Sequence, residues 1–227
     1  MKSEPFGPEV SAFLFDVGGT LYRSPDFDAL VEDQAYVALA DDRGCDLEEA
    51  KRLLKDRQAV NSEQLGDPTK VRALEDLGVR REVFQDAVAA LDPAPYLSEA
   101  PSIGEFLGTL KQLGYKVGVL SNFKEALVRK VFACLGADWD DLDGSVCVDD
   151  GLPIKPDPEP FRVLCERVGT PPSQAVFVGD SVSKDLAPAK RLGMGTVLVG
   201  VSQTANTEGV VDHSVEALDD VLSLLSR

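Results

Sequence analysis

The N-terminal part of the chain combines one short apolar run with a long stretch of helical spacing. Residues 12–17, "AFLFDV", form an apolar run that two glycines close, which predicts a buried strand. Between residues 26 and 92, apolar residues recur at helical spacing, with acidic residues near the segment starts and no strand pattern. This stretch predicts a cluster of about four helices. The proline-rich residues 92–101 that follow predict a return linker.

The rest of the chain alternates between short apolar runs and helical segments. Further strands are predicted at 116–122, 145–150, 175–180 and 196–200. Helices are predicted at 102–115, 124–136, 158–169, 184–194 and, closing the chain, 215–226. This alternation favours a parallel sheet that is covered by helices on both faces. We therefore predict an α/β fold with a doubly wound, Rossmann-like core of residues 1–21 and 98–227 and an all-helical domain inserted at 22–97.

Composition narrows the functional classes. The chain has 227 residues, 44% of them hydrophobic, which is enough for one large domain or a core with an insert. Its formal net charge of −16 disfavours binding to nucleic acid and anionic membranes, and would repel an anionic substrate unless the site held a cation. We find no apolar run of about 18 residues and no signal-like N-terminus. Four cysteines without a CxxC pair predict reduced thiols and a cytoplasmic location, and no pattern indicates an oligomeric state.

Polar residues occur where the predicted strands end and in the loops that follow. In chain order they are Asp16, Ser121, Asn122, Lys155, Asp180 and Asp185. A single Asp after a strand is most often a turn former or a helix cap. However, ligands of an open parallel sheet bind outside the carboxyl ends of its strands, so we expect all of these side chains to converge on one rim. His213, the single histidine, lies apart from them and is expected to have a structural or capping role.

These residue types suggest phosphoryl chemistry at a metal ion. The carboxylates of Asp16 and Asp180 suit a hard cation such as Mg²⁺, with Asp185 orienting its ligand shell. That cation and Lys155 would together receive an anionic phosphoryl group. The two glycines after the first strand would allow close approach of the backbone to phosphate. Asp16 would then have room to act as a nucleophile.

Four ordered motifs resemble those of the haloacid dehalogenase superfamily, in which phosphatases predominate. The matching segments are "FDVGGTL" from Phe15 to Leu21, "VLSN" ending at Asn122, "KPDPEPF" from Lys155, and "GDSVSKD" from Gly179 to Asp185. The resemblance spans nearly the whole chain, and the predicted insert resembles the family's helical cap of the first type. It implies a Mg²⁺-dependent phosphatase that acts on a small phosphorylated metabolite through an aspartyl-phosphate intermediate.

The resemblance also implies a role for each matched residue. The catalytic set would be Asp16 as the nucleophile, Ser121 and Lys155. The substrate-binding set would be Gly19, Thr20, Ser121, Asn122 and Lys155. The metal-binding set would be Asp16, Gly18 through its carbonyl, Asp180 and Asp185, the last directly or through water.

The sequence departs from the family pattern at Gly18. Phosphatases that it resembles usually carry a second Asp there, which protonates the leaving oxygen and then activates water. A general acid/base contributes typically 10²–10⁴-fold to the rate, or about 3–5.5 kcal/mol of barrier. The carbonyl of residue 18 survives the change, because any residue supplies it. The sequence therefore predicts an intact metal site with an altered acid/base step.

Three interpretations remain open. In the first, the protein is a phosphatase whose acid comes from elsewhere or whose substrate has a good leaving group; the candidate acids are Tyr22, Ser24, Glu32 and Asp33. In the second, the chemistry is halide or phosphonate cleavage. Phosphonate cleavage needs a reactive lysine in the insert, for which the candidates are Lys51, Lys55 and Lys70. In the third, the chain is a binding or regulatory protein on a hydrolase scaffold.

Overall fold

The computed structural model describes residues 6–65, 69–97, 103–200 and 209–225. The chain divides into two compact units. We call Met1–Arg23 with Leu97–Arg227 the core unit, and Ser24–Tyr96 the helical unit. Of the described helices, none combines the length and the apolarity that a bilayer crossing requires.

The core unit is built on one six-stranded sheet. Its strands are β1 (Ala12–Phe15), β2 (Lys116–Leu120), β3 (Gly144–Val146), β4 (Ala175–Gly179), β5 (Gly195–Val199) and β6 (His213–Val215). The spatial order is β3-β2-β1-β4-β5-β6, and every pair is parallel. The strand order reverses at β1, whose neighbours are β2 and β4. The predicted α/β fold with a doubly wound parallel sheet is confirmed.

Nine α-helices accompany the strands in the described residues. They are α1 (Pro25–Arg43), α2 (Leu47–Leu65), α3 (Lys70–Asp76), α4 (Arg81–Ala90), α5 (Ala94–Leu97), α6 (Ile103–Gln112), α7 (Glu125–Cys134), α8 (Glu159–Val168) and α9 (Ala187–Arg191). The helical unit contains α1 to α4, with α1 packed on α2 and α4. Ser24 caps α1 by accepting a hydrogen bond from the Phe27 N–H, and Gly44 ends that helix in the left-handed conformation.

Both faces of β1 are buried, which is why its sequence is apolar without alternation. Phe15 packs edge-to-face on Phe106 of α6. Leu14 points the other way, into the cluster that contains Phe161 of α8 and Phe177 of β4. Because β1 lies at the centre of the sheet and is packed on both sides, its carboxyl end is held firmly.

The structure differs from the prediction for the last elements of the chain. A sixth strand, His213–Val215, pairs with β5 where no strand was predicted and the closing helix was expected to begin at residue 215. Leu218–Leu224 is a 3₁₀-helix rather than the predicted α-helix. The apolar residues Leu218, Val221 and Leu224 recur every three positions, which matches the three residues per turn of a 3₁₀-helix. A three-residue strand is too short for its period to be detected.

Three smaller differences concern element ends. The predicted strand 145–150 is β3 followed by a 3₁₀ turn at Val148–Asp150. The predicted helix 184–194 begins earlier, with a π-helical turn at Val182–Leu186 that leads into α9. The predicted linker contains α5, and its residues 98–101 lie outside the described ranges, as does residue 102 of the helix predicted after it.

Candidate active site

The carboxyl ends of the central strands bring the first candidate residues together. Asp16 follows β1 directly, and its N–H donates to the Val178 carbonyl of β4 over 3.0 Å. Asp180 follows β4. On the other side, Ser121 follows β2 and its N–H donates to the Val146 carbonyl of β3 over 2.9 Å. The backbone hydrogen bonds of the sheet thus continue one residue past β1 and β2. This places the side chains of Asp16, Ser121 and Asp180 at one edge of the sheet.

A buried ammonium group joins two of the predicted acids. Lys155 Nζ donates to Asp16 Oδ1 over 2.5 Å and to Asp185 Oδ1 over 2.8 Å. The exposed fractions are 5% for Lys155, 7% for Asp16 and 2% for Asp185. Burial of an ion is costly unless it is paired and hydrogen-bonded, and this lysine satisfies both conditions.

The π-helical turn after β4 supplies Asp185. The Ser181 N–H donates to Asp185 Oδ2 over 3.1 Å, while the Ser181 hydroxyl accepts from the Lys184 N–H. A Cβ atom at Gly179 would lie 2.6 Å from the Asp185 Cβ, so only glycine leaves room for this side chain. Single π-helical turns occur frequently at functional sites.

The loop after β1 is folded tightly around Asp16. The Thr20 hydroxyl donates to Asp16 Oδ2 over 3.2 Å. Gly19 has a φ of +84°, and a Cβ there would lie 2.2 Å from Asp180 Oδ2. Glycine is therefore required at position 19, both by the backbone conformation and by the approach of the carboxylate.

Arg23 ties this loop to the end of β5. Its Nε donates to the Gly19 carbonyl over 3.1 Å, and its Nη2 donates to the Val199 carbonyl over 3.0 Å. The guanidinium also lowers the pKa of Asp180, although burial and the neighbouring Asp185 outweigh it and the net shift is upward.

The Asn122 side chain binds the backbone of Lys155. Its Nδ2 donates to the Lys155 carbonyl over 3.1 Å, and its Oδ1 accepts from the Lys155 N–H over 2.9 Å. Ser121 Oγ accepts from the Phe123 N–H over 3.2 Å. In this arrangement Asn122 positions Lys155, and the Ser121 hydroxyl keeps its proton for donation.

The three acids form a group that could hold a metal ion. One carboxylate oxygen from each of Asp16, Asp180 and Asp185 lies within 4.8 Å of the others, and Asp180 is the most exposed of the three. Ligands made only of oxygen fit a hard cation such as Mg²⁺. Three carboxylates face one ammonium, so two negative charges remain when all four groups are ionised, which a divalent cation would balance.

The pKa values reflect this crowding. Burial raises the pKa of Asp16 to about 6, against the opposing effect of Lys155 and with the help of the Asp185 charge. Burial also raises the pKa of Asp180. The pKa of Lys155 is raised despite its burial, because two carboxylates surround it. The ammonium is therefore fixed in its charged form, and the acids repel one another without a further cation.

Several alternative candidates have other contacts within the helical unit. Ser24 caps α1, and Glu32 accepts hydrogen bonds from the Tyr36 hydroxyl and from Lys70 Nζ. Lys51 pairs with Glu48 and lies over the Tyr36 ring. Asp33 and Lys55 also lie in the helical unit, on α1 and α2. The ammonium groups of Lys51 and Lys70 are thus paired with carboxylates, and the phosphonate interpretation stays a prediction.

A model of the haloacid dehalogenase-like hydrolase family matches residues 10–193, well over half of the chain. The chain belongs to the haloacid dehalogenase-like hydrolase family. It is therefore a hydrolase, and the predicted family resemblance is confirmed.

Individual family members resemble the chain over most of its length. A phosphoglycolate phosphatase from Psychrobacter arcticus is 27% identical over 175 residues, covering 77% of this chain and 74% of the relative. A glyceraldehyde 3-phosphate phosphatase from Methanocaldococcus jannaschii is 27% identical over 233 residues, covering 96% and 98%. The crystal structure of a HAD phosphatase from Thermococcus onnurineus superimposes with a TM-score of 0.63 at 25% identity, covering 95% of this chain and 97% of that one.

Two residues of the site were not predicted from the sequence. Arg23 reaches a strand end 176 residues away, and an isolated arginine after a loop gives no signal for such a contact. Ser181 holds Asp185 through its backbone N–H, which any residue except proline could supply. Neither contribution has a sequence pattern that could have indicated it.

Proposed function

We propose that this hydrolase is a Mg²⁺-dependent phosphatase of small phosphorylated metabolites, with Asp16 as the covalent nucleophile. The observation that carries the proposal is the position of Asp16. Its carboxylate lies at the reversal point of the sheet, hydrogen-bonded by Lys155 and grouped with Asp180 and Asp185. Ligand sites of open parallel sheets occur at this location.

The described residues fit the steps of such a reaction. Asp16 Oδ would attack phosphorus while the bond from phosphorus to the leaving oxygen breaks, giving an aspartyl phosphate. Water would then attack phosphorus and release Asp16 and inorganic phosphate. Lys155 and the Ser121 hydroxyl are the proposed donors to the phosphoryl oxygens, and Asn122 would keep Lys155 in position. Gly19 and Thr20 shape the loop in which the nucleophile is held.

Mg²⁺ would be held by Asp16, Asp180 and the Gly18 carbonyl, with Asp185 acting directly or through water. When bound, it would neutralise charge on the acids and on the transferring group. This role fits the charge balance of the cluster. A bound cation would also offset the repulsion between a phosphate ester and the protein, whose net charge is −16.

The substrate class is proposed from two sources. The names of two relatives refer to phosphoglycolate and glyceraldehyde 3-phosphate, both small phosphate monoesters. The acidic surface independently disfavours large polyanions such as nucleic acid. The function of residues 22–97 as a substrate-selecting cap and the cytoplasmic location stay predictions from the sequence.

The proposal is tested by phosphate release from acetyl phosphate and p-nitrophenyl phosphate, with Mg²⁺ or with EDTA. We expect turnover that needs Mg²⁺ and falls at least about 10³-fold in Asp16→Asn. Asp41→Asn is the matched control, because Asp41 is exposed in the helical unit and should leave the rate unchanged. Halide release from a chlorinated acid without phosphate release would favour dehalogenation. No product release from any of these substrates would favour a binding protein on a hydrolase scaffold.

A further inference from the structure

The space beside Gly18 is filled by a phenol. A Cβ atom built on Gly18 would lie 3.3 Å from Tyr22 Oη, and 3.8 Å from both Tyr22 Cζ and Phe123 Cε2. The φ of Gly18 is outside the left-handed region, so its backbone does not require glycine. A side chain at position 18 would therefore be directed toward the hydroxyl of Tyr22.

The loop fixes Tyr22 in this position. The Gly19 N–H donates to the Tyr22 carbonyl over 2.9 Å, and a parallel bridge links Tyr22 to Gly18. The next residue, Arg23, anchors the loop to Gly19 and to the end of β5. Tyr22 is only 6% exposed. The loop thus fixes the backbone of Tyr22, and burial limits the motion of its ring and hydroxyl.

The proposed reaction needs a proton donor for the leaving oxygen. The Thr20 hydroxyl donates to Asp16, and Lys155 donates to two carboxylates. A phenol is both a donor and an acceptor of hydrogen bonds, and it keeps its proton at neutral pH. Gly18 lies two residues after the nucleophile Asp16, and a Cβ atom on it would be 3.3 Å from the Tyr22 hydroxyl, so the phenol is on the side to which residue 18 would point.

We propose that Tyr22 is the proton-transfer residue of this site, acting from the space that a side chain at position 18 would occupy. This inference rests on the proposed phosphatase function. In the first step, the bond from phosphorus to the leaving oxygen breaks and that oxygen takes the proton of Tyr22 Oη. In the second step, water attacks the aspartyl phosphate and its proton returns to the tyrosinate oxygen, so that the residue is regenerated.

The test compares substrates that differ in their need for a proton. Tyr22→Phe and wild type are assayed with Mg²⁺ on acetyl phosphate, whose leaving group needs no proton, and on glycerol 1-phosphate, an alkyl ester. We expect kcat/KM to fall about 10²–10⁴-fold on the alkyl ester and less than about tenfold on acetyl phosphate. The ratio of the two activities does not depend on the folded fraction, so partial misfolding cannot imitate the result.

Two further variants sharpen the comparison. Tyr115→Phe is the matched control, because Tyr115 packs on Phe13 in the same unit and its hydroxyl has no proposed role in the chemistry. Gly18→Asp added to Tyr22→Phe should restore alkyl-ester hydrolysis, since removal of the hydroxyl makes room for the new carboxyl group.

The outcomes separate this inference from the proposed function. An equal loss on both substrates, or no loss on the alkyl ester, overturns the role of Tyr22. A wild type that hydrolyses acetyl phosphate but not the alkyl ester also overturns it, while the phosphatase function stands. If the wild type releases phosphate from neither substrate, the proposed function fails and the inference fails with it.

Discussion

At the scale of single residues, the site depends on Lys155, whose ion pairs offset the unfavourable burial of charged groups. Its ammonium is the buried cation that pairs with Asp16 and Asp185, and both carboxylates lie out of water. Removing one partner of a buried ion pair lowers the stability by more than the intact pair contributes, because the remaining buried charge has no partner. This asymmetry makes Lys155 important for folding as well as for the proposed chemistry.

Lys155→Met should therefore destabilise the protein by about 3–5 kcal/mol in the absence of a divalent cation. Urea denaturation measures this loss, and added Mg²⁺ should recover part of it by neutralising the acids. Lys184→Met is the control, since Lys184 is exposed on the neighbouring turn and should change stability by less than about 0.5 kcal/mol. Equal stability of the two variants would refute the structural role of Lys155.

The two glycines of the loop should respond differently to substitution. Gly19→Ala places a Cβ atom 2.2 Å from Asp180 Oδ2 at a φ of +84°, so we expect at least about 1–2 kcal/mol of destabilisation and weaker Mg²⁺ binding. The Cβ of Gly18→Ala would come no closer than 3.3 Å to another atom, the Tyr22 hydroxyl, and the substitution should cost less. Urea denaturation and calorimetric titration with Mg²⁺ measure both. A larger effect at Gly18 than at Gly19 would contradict the described loop.

At the scale of elements, the edge strand β6 contains a partly buried histidine. Among the described residues, His213 Nδ1 has no hydrogen-bond partner although the atom is buried, and its ring packs edge-to-face on Phe6 at 4.5 Å. Burial lowers the pKa of His213 below its ordinary value of 6.5, helped by Lys190 and opposed by Asp212. The folded state thus favours the neutral imidazole.

This arrangement predicts a pH-dependent stability. Because the pKa of His213 is lower in the folded state, the unfolded chain binds a proton more readily below about pH 6.5. The free energy of unfolding should therefore fall more steeply between pH 7.5 and 5.5 in wild type than in His213→Phe, as urea denaturation at each pH would measure. Parallel curves for the two proteins would show that His213 makes no such contribution.

Elements with a clear period were predictable, and short elements were not. The apolar run of β1 and the helical spacing of α1 or α8 each extend far enough to reveal their period. By contrast, β6 has three residues, and the 3₁₀-helix at Leu218–Leu224 has apolar spacing that also resembles an α-helix. The rim residues were predictable because parallel strands end at one edge.

What could not be predicted depends on side-chain contacts that exist only in the folded chain, whether their partners are near or far apart in the sequence. Arg23 and the Val199 carbonyl meet only after folding, as do the Tyr22 hydroxyl and the space beside Gly18. The sequence identified Tyr22 only as one of four candidate acids, because spacing alone does not give the direction of a side chain. The side-chain contacts of Ser24 and Glu32 within the helical unit likewise depend on the folded structure.

At the scale of the whole molecule, burial divides the four cysteines into two classes. Cys147 and Cys165 are buried, whereas Cys45 and Cys134 are partly exposed, and none is in a disulfide. Burial raises the pKa of Cys165 to about 11, with a smaller contribution from Glu166, and burial also raises the pKa of Cys147.

Iodoacetamide at pH 8 should therefore label Cys45 and Cys134 in the native protein. At that pH a thiol with a pKa near 11 is only about a thousandth thiolate, which is the reactive form. Cys147 and Cys165 should become reactive in denaturing urea, and peptide mass spectrometry assigns each site. Early labelling of Cys165 without urea would mean that α8 is less well packed than described.

The proposed reaction requires that Asp16 becomes phosphorylated during turnover. The most direct measurement is to quench the enzyme with acid during turnover of acetyl phosphate with Mg²⁺, reduce it with borohydride and map the product by mass spectrometry. An acyl phosphate is reduced to an alcohol, so we expect conversion of Asp16 to homoserine, and of no other acid in the group. Turnover with Asp16 unmodified, or with the label on Asp180 or Asp185, would contradict the proposed role of Asp16.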